Sequence, residues 1–143
     1  MIYYLDTNIC IYFLVGKYPQ LLIKIMSFSP NDIKIPAIVK AELLHGAEKS
    51  LKRDENLAKI STFLIPFEII PFDDVCTGYY GKIKASLEKT GMLIGPNDLI
   101  IAATTLAKNA ILVTNNTFEF SRVEGLPTLT LWEADYKTRK AVD

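Results

Sequence analysis

An α/β fold, with a central parallel β-sheet flanked by helices on both faces, is predicted by three observations on this 143-residue chain. Short apolar runs recur that lack the polar alternation of a half-exposed strand. Stretches with apolar residues at four-residue spacing lie between them. The two patterns alternate from end to end without internal repeats or linkers, the order that produces parallel strands joined by helical crossovers in one domain.

The elements follow in chain order. The run "IYYL" at 2–5 predicts the first strand, and Asp6, Thr7 and Asn8 directly after it are cap-type residues. Asp6 either caps the turn or helix that begins there or holds something that needs negative charge. Thr7 either caps that helix or orients Asp6. "DIKIP" at 32–36 is a weaker strand. Pro36 suits a first helical position, and "PAIVKAELLHGAEKSL" continues with Val39, Leu43 and Ala47 on one face. Residues 54–65 are helical in spacing, "FEIIPF" at 67–72 is a second weak strand, and residues 74–91 form a further helix ending at Gly91, a good left-handed stop. In "GPNDLIIAATTLAKNA" Asn97 is a natural N-cap and Asn109 suits the stop. "AILVT" at 110–114 and "TLTLW" at 128–132 complete the strands. Residues 1–135 are expected to form a single domain, with 136–143 a loosely held C-terminal tail.

Composition narrows the class. Half the residues are apolar and 22% are charged, which excludes a disordered or fibrous chain. Sixteen basic and sixteen acidic side chains cancel, which argues against coating nucleic acid by bulk charge but leaves a local basic patch possible. Cys10 and Cys76 sit in or beside apolar stretches, the usage of reduced buried thiols, so the expected location is cytoplasmic. The run "ICIYFLV" has no basic residues ahead of it and no small-residue cleavage site after it, unlike a signal peptide. No apolar stretch reaches membrane-spanning length.

Four acids fall where such a fold places ligands, beyond the carboxyl ends of parallel strands. Asp6 follows the first strand, Asp98 occupies the first turn of its helix, Glu119 lies in "TNNTFEF" after the strand ending at Thr114, and Glu42 interrupts the mainly apolar run "AIVKAELLHGA". Gathered together they would need an offset, because two bare charges about 4 Å apart repel by roughly 4 kcal/mol at an effective dielectric near 20. Raised pKa values are one solution. A hard divalent cation with oxygen ligands is simpler, and Mg²⁺ uses few carboxylates plus water and substrate phosphates, which makes phosphoester chemistry the leading expectation. Each of Asp6, Asp98 and Glu119 alone also reads as a turn or cap residue, and Asn8, Asn115 and Asn116 fit turns. Glu42 is harder to dismiss, since a carboxylate within an apolar helix is rarely buried without a partner. His45 stands at Glu-x-x-His spacing from Glu42, but one histidine supplies neither a di-iron pair of motifs nor a triad with a site of its own. Neither cysteine has an activating basic neighbour, and the seven scattered glycines form no phosphate loop.

"YLDTNICIYFL", "AELLHGA" around Glu42, "GPNDLIIAATTLAKNAILVTNN" and "TFEFSRVEGL" together resemble the PIN domain, specifically the VapC toxins of bacterial toxin–antitoxin pairs. The resemblance spans nearly the whole chain. It implies a PIN-like fold and a metal-dependent endoribonuclease that cleaves structured RNA, commonly tRNA or ribosomal RNA. Asp6, Glu42, Asp98 and Glu119 would then be the catalytic acids and the ligands of Mg²⁺ or Mn²⁺. Glu119 stands where the family often has Asp, so its longer stem would shift the ligand outward or bind through water. Thr7 and Asn8 would orient the first acid or the attacking water, and Asn116 would hold the fourth corner. Lys17, Lys40, Lys49, Lys52 and Arg53 are candidate RNA phosphate contacts, or ordinary solvated charges.

Family membership also implies a VapB-type antitoxin laid across an apolar groove, and a homodimer that grows to a heterotetramer or larger with it. Tyr12, Phe13, Tyr18 and Phe28 would line such a groove or belong to the core. Two other readings remain open from sequence. One is a housekeeping PIN nuclease in RNA processing, distinguished by the absence of a neighbouring antitoxin gene. The other is a receiver-like, non-hydrolytic phosphate- or metal-binding module with Asp6 as acceptor, which needs a lysine and a hydroxyl at the sheet edge that the sequence does not place.

Overall fold

The computed structural model describes residues 1–130. Among these described residues five strands form one sheet: β1 (Tyr3–Leu5), β2 (Ile33–Pro36), β3 (Glu68–Ile70), β4 (Ile111–Val113) and β5 (Thr128–Leu129). The helices are α1 (Thr7–Val15), α2 (Pro19–Met26), α3 (Ala37–Glu48), α4 (Arg53–Leu64), α5 (Asp74–Thr90), α6 (Pro96–Ala107) and α7 (Thr117–Phe120). The strand order is β3-β2-β1-β4-β5 and every pairing is parallel, as the alternating pattern predicts.

The chain leaves β1 toward β2 and β3, then returns to lay β4 on the other side of β1. Right-handed crossovers place the helices of the outward and return paths on opposite faces of the sheet. The same reversal makes the gap between the carboxyl ends of β1 and β4 the topological switch point, where open parallel sheets bind ligands. Tyr3 pairs with Ile111 and Leu5 with Val113, so the next residues, Asp6 and Thr114, emerge side by side at that edge.

Burial explains why the strands are apolar throughout. Leu5, Ile35, Leu112 and Val113 are fully enclosed, as are Ile101, Ala102 and Ala103 of α6, which packs along α5. Each large apolar side chain so removed from water contributes about 1.5–3 kcal/mol. Val39, Leu43 and Ala47 are buried as the helical spacing predicts. Tyr12, Phe13, Tyr18 and Phe28 are partly buried against this core: Phe28 stacks on Tyr3, Tyr12 meets Tyr18 edge-on, and Phe13 packs on Phe63. Cys10 and Cys76 are free and buried. Among the described residues no single helix is long and apolar enough to cross a membrane.

Two expected boundaries move. Pro36 closes β2 opposite Ile70 and serves as the N-cap of α3, because its extended backbone (φ −58°, ψ 141°) continues the ladder. Asn97 is not the N-cap of α6; Gly95 is, with Pro96 in the first helical position, where its missing N–H costs nothing. Gly91 and Asn109 do adopt the left-handed conformation that ends α5 and α6. Residues 131 and 132 of the last expected strand, and the expected tail at 136–143, lie outside the described residues.

Candidate active site at the carboxyl edge of the sheet

Asp6 is 4% exposed and acts first as the N-cap of α1, its Oδ1 accepting from the Ile9 N–H at 2.9 Å. Its second oxygen, Oδ2, accepts the hydroxyl proton of Thr114 from the neighbouring strand end. The capping and charge-holding readings of Asp6 are therefore compatible: one oxygen caps while the carboxylate remains at the switch point. Burial raises the pKa of Asp6 from 3.8 to about 6, against the lowering effect of the Thr114 and Ile9 hydrogen bonds. The charge of Glu42 adds to the rise.

Glu42 reaches the same place from α3, and its Oε1 accepts the Thr7 hydroxyl at 2.7 Å. Thr7 thus positions Glu42 rather than capping α1. Asp98 stands in the first turn of α6, where the helix dipole favours negative charge. Its pKa is nevertheless raised from 3.8 to about 6, by burial first and then by the charges of Glu119, Glu42 and Asp6. Asp98 therefore feels three other acids, each from a separate segment of the chain.

An open cleft of about 500 Å³ lies over this edge, lined by Asp6, Thr7, Asn8, Ile11, Glu42, His45, Gly46, Lys49, Asn97, Asp98 and Asn116. Glu119 is not among the lining residues. Its Oε1 accepts the Gly95 N–H at 3.1 Å and its Oε2 accepts the Asn116 side-chain N–H at 2.7 Å. The Asn116 bond foremost, with the Gly95 bond, holds Glu119 below the usual carboxylate range against a smaller effect of burial. The interaction between the Asp98 and Glu119 carboxyls raises the pKa of Asp98 and lowers that of Glu119.

The donor set suits a hard cation. All the acids offer oxygen, and two of them are carboxylates whose ionisation is opposed by burial and by like charge, so a positive ion there would relieve both. Among the described residues no three His, Cys, Asp or Glu side chains are gathered closely enough to form a ready-made cage.

The basic candidates divide. Lys49, the C-cap of α3, lines the cleft with Glu42 and His45. Arg53 is held by Glu48 at 2.6 Å and Asp54 at 2.7 Å, and Lys52 stands 4.0 Å from Glu55. Lys17 lies over the Tyr18 ring at 5.2 Å, and Lys40 is half-buried on α3; neither lines the cleft. Sequence reasoning missed Thr114 and Gly95 altogether. A hydroxyl at the end of a strand paired with the strand before Asp6 was the available signal for Thr114; nothing local marks Gly95 as a partner of a residue 24 positions away.

The PIN domain family pattern matches residues 3–126. Ribonuclease VapC2 of Rickettsia felis is 46% identical over 128 residues, 88% of this chain and 95% of that protein. The tRNA(fMet)-specific endonuclease VapC of Shigella flexneri is 37% identical over 124 residues, covering 87% and 93% respectively. Among solved structures, VapBC2 from Rickettsia felis bound to a DNA fragment from its promoter superimposes with a TM-score of 0.86 at 43% identity, covering 91% of this chain and 98% of that one. With the fold, the acidic cleft and these likenesses together, the chain belongs to the PIN-domain family, among the VapC ribonucleases.

Proposed function

We propose that this protein is the endoribonuclease toxin of a VapBC-type pair, hydrolysing phosphodiester bonds in structured RNA, most simply tRNA, with Mg²⁺ or Mn²⁺ as cofactor. The single observation that carries the reading is the convergence of Asp6, Glu42 and Asp98, from β1, α3 and α6, on one cleft at the switch point of the sheet. The name of the Shigella flexneri relative supports tRNA as the substrate class, and that of the Rickettsia felis complex supports a VapB-type antitoxin as partner.

In this reading Asp6 and Asp98 are the direct ligands, and Glu42 and Glu119 complete the acidic set. When bound, the cation polarises the scissile phosphate, makes water a better nucleophile and stabilises the departing oxygen. The chain's own side chains set the geometry. Thr114 and the Ile9 N–H aim Asp6, Thr7 aims Glu42, and Asn116 with Gly95 fixes Glu119 beside Asp98. Asn8, exposed on the cleft, would orient water or a phosphate oxygen, and Lys49, on its lining, would meet an RNA phosphate at the rim. No protein nucleophile is needed.

The test is incubation of the purified protein with total RNA, with and without Mg²⁺, followed by sequencing of the new 5′ and 3′ ends. Discrete cleavage within one structured RNA class, lost on chelation and in Asp98→Asn, is the expected result. Cleavage that persists with chelator, or in the variant, would sink the reading.

A further inference from the structure

Glu119 depends on a loop for one of its two hydrogen-bond donors, and the loop that carries Gly95, residues 91–95 between α5 and α6, has to be held against α7 for that bond to exist. Arg122 does this. It stands one residue past the C-cap of α7, Ser121, and its Nη1 donates to the Leu93 carbonyl at 2.7 Å. The guanidinium lies over the Phe118 ring, 5.1 Å from its centroid. Its backbone N–H bonds the carbonyl of Glu119 at 3.2 Å, and its charge acts on the Glu119 carboxylate. Its Nε is buried without a hydrogen-bond partner among the described residues, so the planar group is anchored by its terminal nitrogen and the ring rather than by a carboxylate fork.

These contacts form one chain of positions. Arg122 holds the Leu93 carbonyl; two residues on, the Gly95 N–H donates to Glu119. Gly95 is also the N-cap of α6, and its carbonyl accepts the Leu99 N–H at 2.9 Å, opening the helix on which Asp98 stands. A loop pinned at Leu93 therefore sets both the direction of Glu119 and the start of the helix that presents Asp98. Glutamine loses the charge, the ring contact and the reach of the terminal nitrogens, whereas lysine keeps charge and loses the planar fork.

We propose that Arg122 is a positioning residue of the active site: by clamping the 91–95 loop onto α7 it fixes Glu119 and Asp98 in the geometry that accepts the divalent cation. The assignment rests on the metal-dependent reading given above, but not on turnover. Outer contacts of this kind are worth roughly 10–100-fold in metal affinity when removed.

The probe is Mn²⁺ alone, titrated into the full-length protein and followed by loss of its free-ion EPR signal, together with amide hydrogen exchange resolved over residues 91–96. Arg122→Gln is expected to weaken Mn²⁺ binding about tenfold and to speed exchange in that loop, while exchange in β1 and β4 and the melting temperature stay near those of the parent. Arg122→Lys is expected to fall between, and serves as the folded variant if Arg122→Gln aggregates. Lys82→Gln, an exposed change on the neighbouring face of α5, should leave both readouts unchanged. Undiminished Mn²⁺ affinity in both Arg122 variants, or exchange that rises evenly across the whole chain, overturns the assignment. If the parent protein binds Mn²⁺ but cleaves no RNA, the proposed function fails while the Arg122 inference is still decided by these measurements.

Discussion

Asp6 and Glu119 both press negative charge on Asp98, yet the protein holds them by opposite means. Asp6 is sealed into the sheet edge, and burial drives its pKa up to about 6 even though two donors serve it. Glu119 stands on a four-residue helix and a loop, and the donors Asn116 and Gly95 hold its pKa below the ordinary value. A carboxylate that is charged only at a cost gains most from an arriving cation; one already satisfied by hydrogen bonds gains less. In the proposed site the inner wall would therefore bind the cation, and the outer wall would support it.

The largest expected effect follows from that division. Asp6→Asn should lower RNA cleavage by roughly 10²–10³-fold, the scale of losing one preorganised charge contact in a transition state. Single-turnover cleavage measures it. A fall of under tenfold would mean that the buried wall is a scaffold and that the division is wrong.

Proton linkage probes the same wall without mutation. The folded pKa values of Asp6 and Asp98, about 6, lie above the unfolded 3.8, so between about pH 4 and pH 6 the native state binds more protons than the unfolded chain. Stability without metal must then fall as pH rises through that window, by at most about 3 kcal/mol for Asp6. In the proposed site Mg²⁺ would bind the charged forms, and should then raise the melting temperature more at pH 7.5 than at pH 5. A Mg²⁺ effect of equal size at both values would separate metal binding from these two acids.

Thr114→Val tests how the buried charge is tolerated. Removing the hydroxyl that donates to Asp6 Oδ2 while keeping the volume should cost about 1–3 kcal/mol at pH 8 in urea unfolding, and less at pH 5, where Asp6 is neutral. A loss independent of pH would assign the cost to packing alone.

The two walls also differ in how far the sequence announced them. The sheet was readable because strands buried on both faces have to be apolar, and "IYYL" and "AILVT" are; Asp6 was readable because an acid ending such a run lies at the binding edge. Glu42 stood out against its apolar helix. Pro36 and Asn97 misled by one or two positions, since local preference does not register that Pro36 is laddered to Ile70 or that Pro96 has already opened α6. The outer wall was less legible: α7 is four residues long, too short for a period, and the Gly95–Glu119 bond joins residues whose proximity only the folded chain creates. Family resemblance named Glu119 but not the reason it stays charged.

Glu119→Gln sharpens the contrast at its weaker side. The amide oxygen can still accept from Gly95, but its NH₂ meets the NH₂ of Asn116, so one bond is lost and the charge with it. About a tenfold loss of cleavage is expected, with Mn²⁺ affinity falling by a similar factor. A loss as large as that of Asp6→Asn would make Glu119 a ligand in its own right and erase the distinction between binding wall and supporting wall.

The smallest effect lies at the rim, where availability rather than charge alone should decide which cation meets RNA. Arg53 already spends its guanidinium on Glu48 and Asp54, with contacts at 2.6, 3.1 and 2.7 Å, so an approaching phosphate would have to displace carboxylates to reach it. Lys49 lines the cleft itself, at the C-cap of α3, seven residues or about two turns beyond Glu42. Lys49→Gln is therefore expected to weaken RNA binding about threefold and to reduce the salt dependence of binding by roughly 0.7 in log–log slope, the contribution of one phosphate contact on a single strand. Arg53→Gln should change binding by under about twofold, because it removes a charge that two acids have already cancelled. Filter binding across a salt series, in chelator so that no cleavage is expected, reads both. The opposite order would place the RNA path along α4 instead of across the mouth of the cleft, and the rim would then have to be redrawn around Arg53.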